Sequence, residues 1–199
     1  TPEHLKAVVR EVDGLHPARR QYRFSPGCTS TFRSQPFRVK PRPLIIAERT
    51  NVNGSQAFRQ LLLKEDFEGM MEIAREQQKE GAHLTDVALA TPGREEAADW
   101  KIFMPELNLQ LEIPVMIDSS NTSALEVALK NYGGKVIINS INLEDGGKRA
   151  QETIDLGREF GAAVVALTID ENGLARTAEE KLRVASRLYD LLVNKNNFK

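Results

Sequence analysis

The stretch Phe160-Gly161-Ala162-Ala163-Val164-Val165-Ala166-Leu167-Thr168-Ile169-Asp170-Glu171 holds the pattern that decides the fold. An aromatic residue closing a helix meets a glycine, an apolar run follows, and the run ends on two acids. Glycine tolerates the left-handed backbone that commonly ends a helix. A continuous apolar run, rather than an alternating one, marks a parallel strand covered on both faces. The same junction recurs at Glu80-Gly81-Ala82 and at Tyr132-Gly133-Gly134. Further apolar runs stand at Leu44-Ile45-Ile46-Ala47, His83-Leu84-Thr85-Asp86-Val87, Ile113-Pro114-Val115-Met116-Ile117 and Val136-Ile137-Ile138. Between them the 3.6-residue period predicts helices over 67–79, 122–132, 149–160 and 178–193. Serial β/α order of this kind fits an open doubly wound sheet, or part of a (β/α)8 barrel, whose full form takes roughly 250 residues.

Both architectures bring ligands to the carboxyl ends of the strands, and there the polar residues fall. The first strand runs into Glu48-Arg49-Thr50-Asn51, the second carries Asp86, the third ends at Asp118-Ser119-Ser120, the fourth at Asn139-Ser140 and the fifth at Asp170-Glu171. No histidine follows any strand, which argues against a Ser-His-Asp or Cys-His nucleophile. The GxGxxG and P-loop signatures are missing. Acids on separate strands have no diagnostic metal spacing, so no metal site is assigned within this chain. Carboxylates and carboxamides do suit a flat polar heterocycle: a carboxylate accepts paired N–H bonds from an amino group and the adjacent ring nitrogen, and an amide can both donate and accept.

Composition narrows the classes. The 199 residues are 41% hydrophobic and 28% charged, with a mean hydropathy of −0.39. Lys and Arg number 27 against 28 Asp and Glu, a net charge of −1, without the basic excess of a nucleic-acid binder. No apolar run reaches the roughly 20 residues of a membrane span. A single cysteine, Cys28, cannot form an internal disulfide, which with the absence of a signal-peptide pattern points to a reducing, cytoplasmic setting. Residues 1–13 read as a short amphipathic helix, with Leu5, Val8, Val9 and Val12 on one face. Residues 14–43, rich in Arg and Pro, read as a linker lying over other structure. Residues 44–199 read as the β/α domain.

The block Leu44-Ile45-Ile46-Ala47-Glu48-Arg49-Thr50-Asn51-Val52-Asn53-Gly54-Ser55 resembles the opening strand and loop of the folate-binding domain of the cobalamin-dependent methionine synthase family. Met116-Ile117-Asp118-Ser119-Ser120, Ile138-Asn139-Ser140-Ile141-Asn142 and the run from Gly161 to Glu171 follow in the same order. The opening Thr1-Pro2-Glu3-His4 resembles the last helix of the homocysteine-binding domain that precedes it. The resemblance implies an α/β fold, a TIM barrel of the pterin-binding, dihydropteroate synthase-like type with about the first five β/α units present. It implies 5-methyltetrahydrofolate as substrate and methyl transfer to cob(I)alamin, and onward to homocysteine. Cobalamin is carried by another domain, and zinc by the homocysteine-binding domain, neither by this chain. Partners are then the homocysteine-binding and cobalamin-binding domains of the same polypeptide, with no nucleic acid and no membrane.

Residue by residue, the resemblance places Glu48, Asp118 and Asn139 on the pterin, with Asp118 on the aminopyrimidine edge and Asn139 at the methyl-bearing nitrogen as the catalytic participant. Gly54 and Ser55 approach the substrate through their backbone. Asn51, Asp86 and Asp170 stand at strand ends, as contacts or as supports of the others. After Asp86 the chain reads Val87-Ala88-Leu89-Ala90 where many relatives carry an asparagine and an acid. The family's next strand, with a further pterin-binding aspartate, is expected beyond Lys199, in a longer polypeptide. Another pterin enzyme, dihydropteroate synthase or a corrinoid protein methyltransferase, is the alternative; a non-catalytic half-barrel platform between modules is the other.

Overall fold

The computed structural model describes residues 1–16 and 25–198. Its centre is a six-stranded sheet in which neighbours in sequence are neighbours in space: β3 (Ile46–Ala47), β4 (Leu84–Val87), β5 (Val115–Asp118), β6 (Ile137–Leu143), β7 (Ala163–Asp170) and β8 (Gly173–Leu174). The first five pair in parallel, and β8 folds back antiparallel on β7 through the two-residue turn Glu171-Asn172. Helices α2 (Gln56–Leu63) and α3 (Phe67–Lys79) link β3 to β4. Single helices then alternate with strands: α4 (Glu96–Gln110), α5 (Thr122–Lys130), α6 (Lys148–Glu159) and α7 (Ala178–Tyr189), the last continuing into a π-type segment, Asp190–Lys195. The curled sheet with helices on its outer side is about half of a (β/α)8 barrel, and the doubly wound alternative is set aside.

The period of two along a strand builds two cores from the same strands. Outward-facing Val115, Ile117 and Ile138 pack with Phe58, Trp100, Phe103 and Met104 from the helices. Inward-facing Leu84, Met116 and Ile137 form a separate floor with Ile46 and Ala163 packed against it. Trp100 is fully buried and donates its indole N–H to Glu96 Oε1 at 3.0 Å, so its one polar atom is satisfied.

The floor is closed from below by a segment expected to be a linker. Within 14–43 lies a hairpin, β1 (Gly27–Thr29) paired antiparallel with β2 (Ser34–Pro36), and its Cys28 is fully buried against Leu84, Met116 and Ile137. Burial pushes the Cys28 thiol up to about 11, consistent with an inert packing role. Bonds to distant backbone hold the hairpin: Thr29 N–H to Lys135 O at 2.9 Å, Lys135 N–H to Thr29 Oγ1 at 2.7 Å, and Thr31 Oγ1 to Asn108 O at 2.8 Å. Gly134 passes so close that an added Cβ would meet Thr29 O at 2.2 Å, which only a glycine permits. The linker residues Arg19, Arg20 and Arg23 lie outside the described residues. Helix α1 (Pro2–Val12) buries no residue and leaves Leu5, Val8, Val9 and Val12 exposed. Among the described residues no helix is long and apolar enough to cross a membrane.

Tyr132 joins plug to sheet, its hydroxyl donating to Thr29 O at 3.1 Å and accepting from Val115 N–H at 3.2 Å. Tyr132→Phe leaves both groups unpaired and is expected to lower stability by about 1–3 kcal/mol. Urea denaturation of the full chain measures this, and a loss under about 0.5 kcal/mol, within the range of an ordinary surface change, would show that the plug does not hang on this residue.

Candidate functional site

Two residues above each floor side chain, on the same inner face, the chain turns polar. Ile46 is followed by Glu48, Leu84 by Asp86, Met116 by Asp118 and Ile137 by Asn139. Asp118 and Asn139 are register partners on adjacent strands, so they stand at one height. The fifth strand breaks the series, with Val165 paired to Asn139. The result is one polar layer on an apolar floor, at the carboxyl ends of the strands.

Hydrogen bonds tie the layer together through two carboxamides. Asn51 Nδ2 donates to Asp86 Oδ2 and to Asp118 Oδ2, both at 2.9 Å, while its Oδ1 accepts Asn53 N–H at 2.9 Å. Asn139 Nδ2 donates to Asp86 Oδ1 at 3.2 Å. Further bonds behind the layer fix the loop that carries Asn51: Thr50 Oγ1 donates to Asp86 O and meets Thr85 Oγ1, each at 2.6 Å, and Gln77 Nε2 donates to both hydroxyls. Gln77 Oε1 accepts Arg49 N–H at 2.7 Å. The Arg49 guanidinium itself turns away, to Glu76 and Glu80. Three carboxylates, Glu48, Asp86 and Asp118, therefore share the mouth, and among the described residues no cation pairs with them.

Such a layer accepts more hydrogen bonds than it donates. Glu48 and Asp118 Oδ1 are unengaged among the described residues, as is Asn139 Oδ1. A ligand presenting adjacent N–H groups on a flat ring matches that set. Residues 47–199 match the model of a family described as pterin binding enzyme. The chain belongs to that family. The curated methionine synthase of Mycobacterium tuberculosis (strain ATCC 25618 / H37Rv) is 41% identical to it over 191 residues, and that of Mycobacterium leprae (strain TN) 42% over 196; each alignment takes in 94% of this chain and 16% of the longer relative. The chain thus spans about a sixth of the length of those relatives. Dihydropteroate synthase from Thermus thermophilus, solved in complex with 6HMPPP, superposes with a TM-score of 0.56 at 22% identity, covering 87% of this chain and 61% of its own, which establishes the shared fold.

For a pterin-binding enzyme, the residues singled out in the sequence divide into two groups. Glu48, Asn51, Asp118 and Asn139 come together in the layer, and Asp86 joins them as its most buried member, 1% exposed. Ser55 caps α2, its Oγ accepting Phe58 N–H at 3.2 Å, and its own backbone N–H goes to Asn51 O at 2.8 Å. Gly54 sits in the turn after Asn51, its N–H bonded to Asn51 O at 3.1 Å, so that its backbone donor is engaged within the turn. Asp170 stands apart. It lies five residues beyond Val165, past two register shifts in the β6–β7 pairing, and Arg183 (2.7 Å) and Arg187 (3.2 Å) share its Oδ2 while Asn172 N–H takes Oδ1. Those bonds, the Asn172 amide first, hold its carboxyl below the usual range. The sequence offered an acid at a strand end; only the arginines on α7, a helix later, explain it. His83 accepts Ile45 N–H on its Nδ1, and Trp100, Phe103 and Met104 pack behind the sheet. Among the described residues no three His, Cys, Asp or Glu side chains are placed to hold a metal ion.

Burial raises both Asp86 and Asp118 above the ordinary carboxylate range. The amide bonds from Asn51, and from Asn139 on Asp86, pull the other way, and the neighbouring negative charges add to the rise. The folded state thus holds these protons more tightly than the unfolded chain. The stability these groups contribute is full below the unfolded value of about 4 and is lost as pH climbs through their raised folded values. Asp118→Asn, which keeps an acceptor for Asn51, is expected to melt at a progressively higher temperature than wild type as pH rises across that window. Parallel melting-temperature profiles for the two proteins would contradict the assignment.

Proposed function

We propose that this chain is the folate-binding part of a cobalamin-dependent methionine synthase, holding 5-methyltetrahydrofolate for methyl transfer to cob(I)alamin and onward to homocysteine. The observation that carries the reading is the cation-free layer of Glu48, Asp118 and Asn139 within a pterin-binding enzyme fold, in a chain 41% identical to a curated methionine synthase over nearly its whole length. Asp118 Oδ1 and the Glu48 carboxylate accept the amino and ring N–H groups of the pterin, whose flat face rests above Met116 and Ile137. Asn139 faces the methyl-bearing nitrogen. Asp170, bound to two arginines, is not counted among the ring contacts, and Ser55 and Gly54 shape the loop that carries Asn51.

The methyl group leaves a tertiary amine, a poor leaving group until its nitrogen gains a proton or strong hydrogen bonding. The polar layer serves this by holding the ring in place with groups already oriented, so that little reorganisation remains at the moment of transfer. Cobalamin, carried by another domain in this reading, would supply the acceptor for the methyl group. In this reading residues 1–13 end a homocysteine-binding domain, whose zinc lies elsewhere in the polypeptide, and the exposed Leu5, Val8, Val9 and Val12 face that domain.

In the full-length protein, Asp118→Asn places an N–H where the pterin also presents N–H and is expected to weaken methyltetrahydrofolate binding by about tenfold to a hundredfold. Calorimetric titration reads this directly, and an unchanged affinity would remove Asp118 from the ring edge.

A further inference from the structure

Resting on the folate reading above for its ligand, we propose that Gln77, on α3 behind the sheet, is a positioning residue that holds Asn51 between Asp86 and Asp118 and so governs how the mouth accepts a ligand's N–H groups. Gln77 continues the buried stripe of α3 formed by Met70, Met71 and Ala74, and is itself 2% exposed. A carboxamide on such a stripe is costly unless its polar atoms are all paired. Here they are. Its Oε1 accepts Arg49 N–H at 2.7 Å, and its Nε2 donates to Thr50 Oγ1 at 3.2 Å and to Thr85 Oγ1 at 3.1 Å.

The Arg49 N–H admits only an acceptor, so it fixes which end of the carboxamide meets the two hydroxyls. With both hydroxyls accepting from Nε2, their own protons have one consistent arrangement. Thr85 donates to Thr50 across 2.6 Å, and Thr50 donates to Asp86 O at 2.6 Å. Gln77 thereby grips two consecutive loop residues, Arg49 and Thr50, and directs the hydroxyl that ties the loop to β4. Asn51 comes next. Its Nδ2 reaches Asp86 and Asp118 together, at 2.9 Å each, only while that loop keeps its place.

Those two amide bonds favour the charged forms of Asp86 and Asp118 against burial. The groups facing the pair are Glu48, beyond β3, and each other across β4 and β5. The β6 strand contributes the neutral Asn139, and the Arg49 guanidinium lies on Glu76 and Glu80. Every charge in this set is negative, so loosening Asn51 lifts both carboxyls further above their ordinary range. A protonated Asp118 is a poorer acceptor for ring N–H groups, and binding then fails at a higher pH as the solution is acidified.

Calorimetric titration of the full-length protein with methyltetrahydrofolate from pH 5 to 8 tests this in Gln77→Met, which keeps the side chain's bulk and drops all its hydrogen bonds. Affinity is expected within about threefold of wild type at pH 8 and about tenfold weaker at pH 5. The decline begins about one pH unit higher, the worth of one hydrogen bond. Thr50→Val breaks the same link with little change of shape; it is expected to give the same shift, and it stands in if Gln77→Met does not fold. Asn51→Ala is expected to produce the shift by itself, and Gln77→Met added to it nothing more, because the effect runs through Asn51. A loss of affinity equal at every pH, the mark of a merely structural role, would overturn the proposal. So would an unshifted profile, or effects of Gln77→Met and Asn51→Ala that add. Each of these leaves the folate function standing, whereas wild-type protein that fails to bind methyltetrahydrofolate would overturn that function and this inference with it.

Discussion

Three carboxylates without a cation can share a protein mouth only if something else satisfies them, and here two asparagines do. Asn51 spans Asp86 and Asp118 with its two N–H groups, and Asn139 takes the other oxygen of Asp86. Uncompensated like charges in a partly buried site raise one another's pKa and oppose folding. Neutral donors relieve the desolvation without cancelling the charge, so the layer keeps a strong preference for ligands rich in N–H. An arginine in place of Asn51 would stabilise the empty site better and leave it indifferent to such a ring. In the proposed reading, that weak compensation is what suits the site to such a ring.

The rest of the fold maintains that layer. The same two-residue alternation that raises Glu48, Asp86, Asp118 and Asn139 inward sets Ile46, Leu84, Met116 and Ile137 beneath them. The hairpin carrying Cys28 seals the floor from below, and Thr50, Thr85 and Gln77 lock the loop that delivers Asn51. Displacing a strand by one residue would exchange its polar and apolar faces. Register, plug and loop therefore act on one quantity, the height and orientation of four side chains.

Much of this was legible in the sequence because it is local. Helix, glycine cap, apolar run and terminal acid follow one another within a dozen residues, and the predicted helix over 67–79 coincides with α3 (Phe67–Lys79). Glu48, Asn51, Asp118 and Asn139 could be picked out because their strands aim them at one end. What could not be read depends on distant partners. The hairpin at Gly27–Pro36 has no apolar period of its own and is defined by contacts with residues about 80–105 positions away, such as Asn108 and Lys135. Asp170 has the same local signature as Asp118, yet register shifts carry it upward to Arg183 and Arg187. Asp86 presents the reverse case: nothing around it in the chain announces that two amides converge on it.

The central claim is that a pterin ring lies across this layer, with its amino edge on Asp118 and its methyl-bearing nitrogen at Asn139. A crystal structure of the full-length protein with methyltetrahydrofolate tests it most directly. The account predicts the ring above Met116 and Ile137, with Asp118 Oδ1 and Asn139 Oδ1 within hydrogen-bond distance of it. A ring bound away from the carboxyl ends of β5 and β6, with Asp118 and Asn139 still facing solvent, would contradict it.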